Sequence, residues 1–224
     1  MDFNAKSDTL ISPELGTWPT FNPPLRVGVM ASGNGSNFEV LVNAGRRNTP
    51  ALTVPLLVAN NANCGALKRA ERLSIPYRVL DHRGYTRENL DRCLIQAFHS
   101  HGVEAIVMAG WMRIVTPLLI EAFPGRLINI HPSLLPSFRG LDATGQALAA
   151  GSVLAGCTAH FVAQEVDAGS IIAQAAVRIL PGDDRAILGA RIQAQEHRLL
   201  PWAIALAGQS WRVSKDRKTG VVAR

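Results

Sequence analysis

Leu127-Ile128-Asn129-Ile130-His131-Pro132-Ser133-Leu134-Leu135-Pro136 is the stretch that decides the fold of this chain. It reads as a buried β-strand that runs straight into a proline-pinned loop. Strand side chains alternate faces, so Asn129 and His131 share one face with Leu127, while Ile128 and Ile130 fill the other. An amide beside an imidazole at the end of a strand lies where open α/β sheets collect their ligand chemistry. Burying two polar groups on an otherwise apolar strand is costly unless they are used.

The segments before this strand have the rhythm of a parallel sheet. Leu25–Ala31 is a short apolar run that ends in Ser32-Gly33-Asn34-Gly35-Ser36-Asn37, with helical sequence from Phe38. A strand, a glycine turn and a helix start make an anion cradle of backbone N–H groups. A dinucleotide fold would carry a third glycine where Phe38 stands, and an acid after the second strand, where Thr53–Ala59 meets Asn60-Asn61 instead. The turn therefore suits a monophosphate. A helix near Asn63–Leu73, a strand at Tyr77–Leu80 and a helix from Thr86 to His101 follow. Val103–Ala109 is the next central strand and opens into Gly110-Trp111-Met112-Arg113-Ile114-Val115, which is either core or one wall of a pocket for a flat ligand.

Beyond the central strand, Gly145–Ala150 suits a short helix, and Cys157–Ala163 and Ser170–Ile179 read as strands. Gln164-Glu165-Val166-Asp167-Ala168-Gly169 joins them with two carboxylates. A carboxylate within reach of His131 would hold its ring and favour the imidazolium. The last helix, Asp183–Leu199, carries Leu188, Ile192 and Leu199 on one face, with Glu196 on the same stripe and Gln193 beside it. Pro201 is expected to stop this helix or start another turn. The predicted fold is α/β: one domain with a mostly parallel twisted sheet and helices on both faces.

Composition narrows the classes. The 224 residues are 47% hydrophobic and 18% charged, a globular profile with no apolar run long enough for a membrane span. The net charge of +6 is concentrated toward the C-terminus, and the milder excess elsewhere fits anionic small substrates better than nucleic acid. Cys64, Cys93 and Cys157 lack ligand spacing, so free thiols in a reducing cytoplasm are expected and a metal is not.

Taken together, Ser32–Asn37, Asn129–Pro136 and Asp167-Ala168-Gly169 resemble the phosphoribosylglycinamide formyltransferase family, over Leu25 to about Leu206. The resemblance implies formyl transfer from 10-formyltetrahydrofolate to the amine of phosphoribosylglycinamide in purine synthesis, without a metal. By the same resemblance, Asn129, His131 and Asp167 are the catalytic trio. Gly35, Ser36 and Asn37 hold the acceptor's phosphate, and Gln193 and Glu196 its ribose and glycinamide end. Arg87, Met112, Arg113, Ile114, Val115 and Asn129 contact the folate. The expected organisation is a flexible leader over 1–24, a formyltransferase catalytic domain over 25–208 and a basic tail over 209–224. A cytoplasmic monomer or weak homodimer, with no nucleic acid or membrane partner, completes the expectation.

Phe138-Arg139-Gly140 resembles the methionyl-tRNA formyltransferase branch instead, and Thr144-Gly145 replaces bulkier polar residues. A tRNA formyltransferase would carry a further RNA-binding domain, and a formyltetrahydrofolate hydrolase an N-terminal regulatory one. A non-catalytic nucleotide-binding module of Rossmann type is disfavoured by Phe38 and Asn60.

Overall fold

The computed structural model describes residues 9–219, with side chains over 10–212. Its strands are β1 (Thr9–Ser12), β2 (Leu25–Ala31), β3 (Leu52–Thr53), β4 (Leu57–Ala59), β5 (Tyr77–Val79), β6 (Ala105–Met108), β7 (Leu127–His131), β8 (Leu154–Phe161) and β9 (Ile171–Arg178). The helices are α1 (Ser36–Arg46), α2 (Gly65–Leu73), α3 (Arg87–Ser100), α4 (Pro117–Ala122), α5 (Ala143–Ala149) and α6 (Arg185–Thr219). One sheet runs in the order β1-β9-β8-β7-β6-β2-β4-β5, with β3 paired to the start of β2. Strands from β5 to β7 in that order are parallel, and β8, β9 and β1 are antiparallel.

The alternation read from the sequence is the alternation of two cores. Ile128 and Ile130 join Val27, Val29 and Leu57 in the layer under α1, α2 and α6. Leu127 joins Met30, Ile106, Leu94 and Phe98 in the layer under α3 and α4. Buried on both faces, β2, β4 and β6 are runs of small and branched apolar residues, as a covered parallel sheet requires.

The structure corrects several expectations and adds one helix. Thr53–Ala59 is not one strand: β3 and β4 are separate pieces around Pro55, which has no N–H for the ladder. The six residues of α4 went unforeseen because they span too few turns to show a period. Pro201 neither stops α6 nor starts a new turn. Leu199, Leu200, Ala203 and Ile204 are fully buried on either side of it, and that packing outweighs the missing hydrogen bond. Finally, residues 9–24 are packed against the domain rather than forming a loose leader. β1 pairs along β9, Trp18 meets Trp202 edge-to-face at 5.3 Å, and the Trp202 indole N–H donates to the Pro13 carbonyl at 3.1 Å. Residues 1–8 lie outside the described residues. Likewise, α6 runs on to Thr219 through most of the segment expected as a tail, and Arg212 pairs with Glu104 at 2.9 Å.

Candidate active site

Parallel strands β2, β6 and β7 deliver their C-terminal ends to one edge of the sheet, and the loops that leave them enclose a cavity of about 810 Å³. The pairing of β6 with β7 sets Asn129 against Met108, and the pairing of β7 with β8 sets it opposite His160. After His131 the chain turns back, braced by Thr158. Its hydroxyl donates to the Ser133 carbonyl at 2.7 Å and accepts the Leu135 N–H at 3.0 Å. Phe138 and Gly140 both adopt positive φ, at 56° and 77°. The turn so formed aims the Phe138 carbonyl at His131 Nε2 (2.9 Å) and the Gly140 N–H at Asp167 Oδ2 (2.9 Å).

Asp167 reaches His131 from the far side of the sheet's edge: its Oδ2 is 3.3 Å from His131 Nδ1. Both ring nitrogens of His131 thus face oxygen atoms. Burial pushes the Asp167 carboxyl upward. The His160 ring, the Gly140 N–H and the nearby His131 ring outweigh that, and the carboxyl ends below its usual range.

His160 is the member of this cluster that sequence reasoning missed. Its Nδ1 lies 2.9 Å from the Phe161 carbonyl, so a proton there leaves Nε2 to accept from Asn129 Nδ2 at 3.2 Å. Asn129 Nδ2 also donates to Asp167 Oδ1 at 3.4 Å. The signal lay in the register: His160 stands two residues from Thr158 on β8, but only strand pairing tells that it lies across from Asn129.

The expected residues meet in this one cavity. Gly35, Ser36 and Asn37 line the end formed by the glycine turn, where α1 begins. Gln193 and Glu196 reach the same end from α6. Asn37 Nδ2 donates to Glu196 Oε2 at 2.8 Å, while Asn37 Oδ1 is buried without a partner among the described residues. Burial raises the Glu196 carboxyl, and the Asn37 bond only partly opposes it. Arg87, Met112, Arg113, Ile114 and Val115 line a largely apolar part of the wall with Leu90, Leu141, Val162 and Val166, and Asn129, His131 and Asp167 complete the lining. Thr144 and Gly145 lie on α5, whose start is capped by Asp142.

A family of proteins described as formyl transferase matches residues 25–204 of the sequence. The chain belongs to the formyl transferase family. Among relatives of this formyl transferase, the phosphoribosylglycinamide formyltransferase of Bacillus subtilis is 39% identical over 180 residues, which is 80% of this chain and 92% of that one. The trifunctional purine biosynthetic protein adenosine-3 of Gallus gallus is 43% identical over 183 residues, but the chain spans only 18% of its length. Among solved structures, glycinamide ribonucleotide transformylase 1 from Symbiobacterium toebii superposes with a TM-score of 0.82 at 40% identity, covering 84% of this chain and 90% of that one. The formyl transferase match stops at both ends short of β1 and the last turns of α6.

Among the described residues, no group of three or more His, Cys, Asp or Glu side chains could hold a metal ion. No described helix is long and apolar enough to cross a membrane.

Proposed function

We propose that this chain transfers the formyl group of 10-formyltetrahydrofolate to the primary amine of 5-phosphoribosylglycinamide, a step of purine synthesis. The observation that carries the reading is a single cavity lined together by an anion cradle, a polar cluster and a largely apolar wall. An acceptor with a phosphate at one end and an amine at the other would run from the glycine turn to the cluster. A flat donor would fill the slot along that wall, its carboxylates near Arg87 and Arg113. The volume lies within the range of sites that enclose ligands of this size.

In this reading the backbone N–H groups of Gly35 and Ser36, at the positive end of α1, hold the phosphate. Glu196, Gln193 and Asn37 bind the ribose and glycinamide end, and the free Asn37 Oδ1 is an acceptor for one of its donors. The amine attacks the formyl carbon, and negative charge grows on the formyl oxygen. Asn129 and His131 supply the hydrogen bonds that stabilise it, each worth about 10²–10³ in rate in comparable sites.

Both donors are engaged by protein groups before substrate arrives. Asn129 releases its long 3.4 Å bond to Asp167, and His131 exchanges the Phe138 carbonyl for the formyl oxygen. Asp167 keeps the imidazole aimed. As the bond from the formyl carbon to the folate nitrogen breaks, His131 gives a proton to that departing nitrogen and takes up the one lost by the amine, ending as it began. Small-molecule substrates in the cytoplasm, and a monomer or weak homodimer, complete the proposal.

Incubation with 10-formyltetrahydrofolate, with and without phosphoribosylglycinamide, tests it. Deformylation that depends on the acceptor, with formylated acceptor as product, is expected. Release of formate without acceptor would assign the chain to hydrolysis instead.

A further inference from the structure

The slot end of the cavity has two walls: the first turn of α3, with Arg87 and Leu90, and the loop Met112–Val115. The start of that loop is tied to the glycine turn, where Ser32 N–H donates to the Gly110 carbonyl at 3.1 Å and Met112 N–H to Ser32 Oγ at 2.9 Å. Its far end is tied to α3 by one side chain. Asp91, 2% exposed, accepts through Oδ2 both the Thr116 N–H at 2.6 Å and the Thr116 hydroxyl at 2.7 Å.

Two features set this contact apart from ordinary helix capping. Thr116 is the N-cap residue of α4, yet its hydroxyl makes no bond to that helix and is turned to Asp91 instead. Asp91 is also an expensive choice of anchor. Burial pushes its carboxyl up, and only the two Thr116 bonds oppose this. A carboxylate kept there despite its desolvation, one residue from Leu90 and four from Arg87, joins the two walls at the point where Val115 leaves the slot.

We propose that Asp91 is a positioning residue for the folate slot: its grip on Thr116 sets the gap between the Arg87–Leu90 wall and the Met112–Val115 wall. This rests on the proposed function, because it assigns the slot to the folate. Asp91 touches no substrate and acts only through the loop it fastens. Asn at this position can present a carbonyl oxygen to both Thr116 donors, whereas Ala presents nothing.

The test compares Asp91→Ala, Asp91→Asn and Thr116→Val in the full-length protein. It measures KM for each substrate, kcat, and tetrahydrofolate binding followed by tryptophan fluorescence. For Asp91→Ala we expect folate KM and the tetrahydrofolate dissociation constant to rise about ten-fold, the loss typical of a hydrogen-bonded charged group. Acceptor KM should stay unchanged, and Asp91→Asn should recover most of the folate affinity. Equal losses for both substrates, or an unchanged folate KM, would overturn the positioning role and leave Asp91 as a stabilising residue. If Asp91→Ala does not fold, Thr116→Val decides: it keeps the backbone bond and loses the hydroxyl, so raised folate KM supports the role and wild-type folate KM refutes it. Wild-type protein that binds no tetrahydrofolate would instead overturn the assignment of the slot itself, and this inference with it.

Discussion

Asp167 Oδ2 lies 3.3 Å from His131 Nδ1, with the two side chains only 8% and 7% exposed. The residues are 36 positions apart in sequence and come from a loop and a strand end. Their contact is set by the Gly140 N–H, which holds the same carboxylate oxygen, and by the Phe138 carbonyl on the far side of the ring. Asp167→Asn replaces the acceptor of His131 with a neutral group and removes the partner that favours the imidazolium. The expected result is a fall in kcat of about 10²-fold, in the usual range for a disabled acid–base pair. Acceptor KM should change little; a variant with wild-type turnover would end this role for Asp167.

The same carboxylate predicts acid behaviour. Its folded-state pKa is depressed, so the stability it contributes is present above its ordinary value near 3.8 and is lost as pH falls through the lower folded value. Wild type should therefore exceed Asp167→Asn in thermal midpoint by a constant margin from pH 7 to 5. The margin should close only below about pH 4. A margin that instead opens on acidification would mean the carboxyl is raised, not depressed.

Glu196 has the opposite sign. Its folded-state carboxyl is raised above the ordinary value of 4.5, so the stability linked to it is full below that value and is lost as pH rises through the folded one. Glu196→Gln cannot ionise and still accepts from Asn37. The variant should gain in thermal midpoint relative to wild type as pH is raised from 4 to 8. Its acceptor KM should rise several-fold, since Gln offers one acceptor oxygen where the carboxylate offers two. Midpoints that run parallel across this range would contradict the burial argument.

At the glycine turn, Gly35 has φ 76°, and a Cβ there would stand 2.6 Å from Ala66 Cα and Cβ. Gly35→Ala meets both a left-handed backbone and the α2 backbone, which has no room to give. A loss of about 2–4 kcal/mol is expected in chemical denaturation. Where the protein still folds, acceptor KM should rise and folate KM should not. Loss of folate affinity alone would misplace the phosphate end.

The N-terminal segment makes a stability prediction with no part in catalysis. Trp18 meets Trp202 edge-to-face, and Trp202 is further fixed by the Pro13 carbonyl. Trp18→Ala should cost about 1–3 kcal/mol, combining the ring pair with lost apolar burial. Both KM values should be unaffected, as read by urea titration beside steady-state kinetics. An unchanged midpoint would show that residues 9–24 add nothing to the fold.

Much of the architecture was legible because it depends on local periods. The two faces of Leu127–His131 could be assigned by alternation alone, and Leu127 and Ile128 do enter opposite cores. The glycine turn announced itself by composition, and Glu196 by standing on the apolar stripe of its helix. Pro201 and residues 9–24 escape a local reading for the reverse reason: burial of the residues flanking Pro201, and contacts of residues 9–24 with Trp202 and β9, involve distant chain that no window of neighbouring residues contains.

The sequence by itself determined the alternation of strands and helices, the polar pair Asn129 and His131 on one face, and the glycine turn before Phe38. These follow from backbone geometry and side-chain spacing, which act over a few residues. Only the tertiary structure decided that His160 faces Asn129, that Asn129 and His131 already have protein partners, and that Asp91 fastens the loop after Val115. Such contacts depend on strand register and on how helices dock, and these are fixed by the packing of the whole core rather than by any stretch of it.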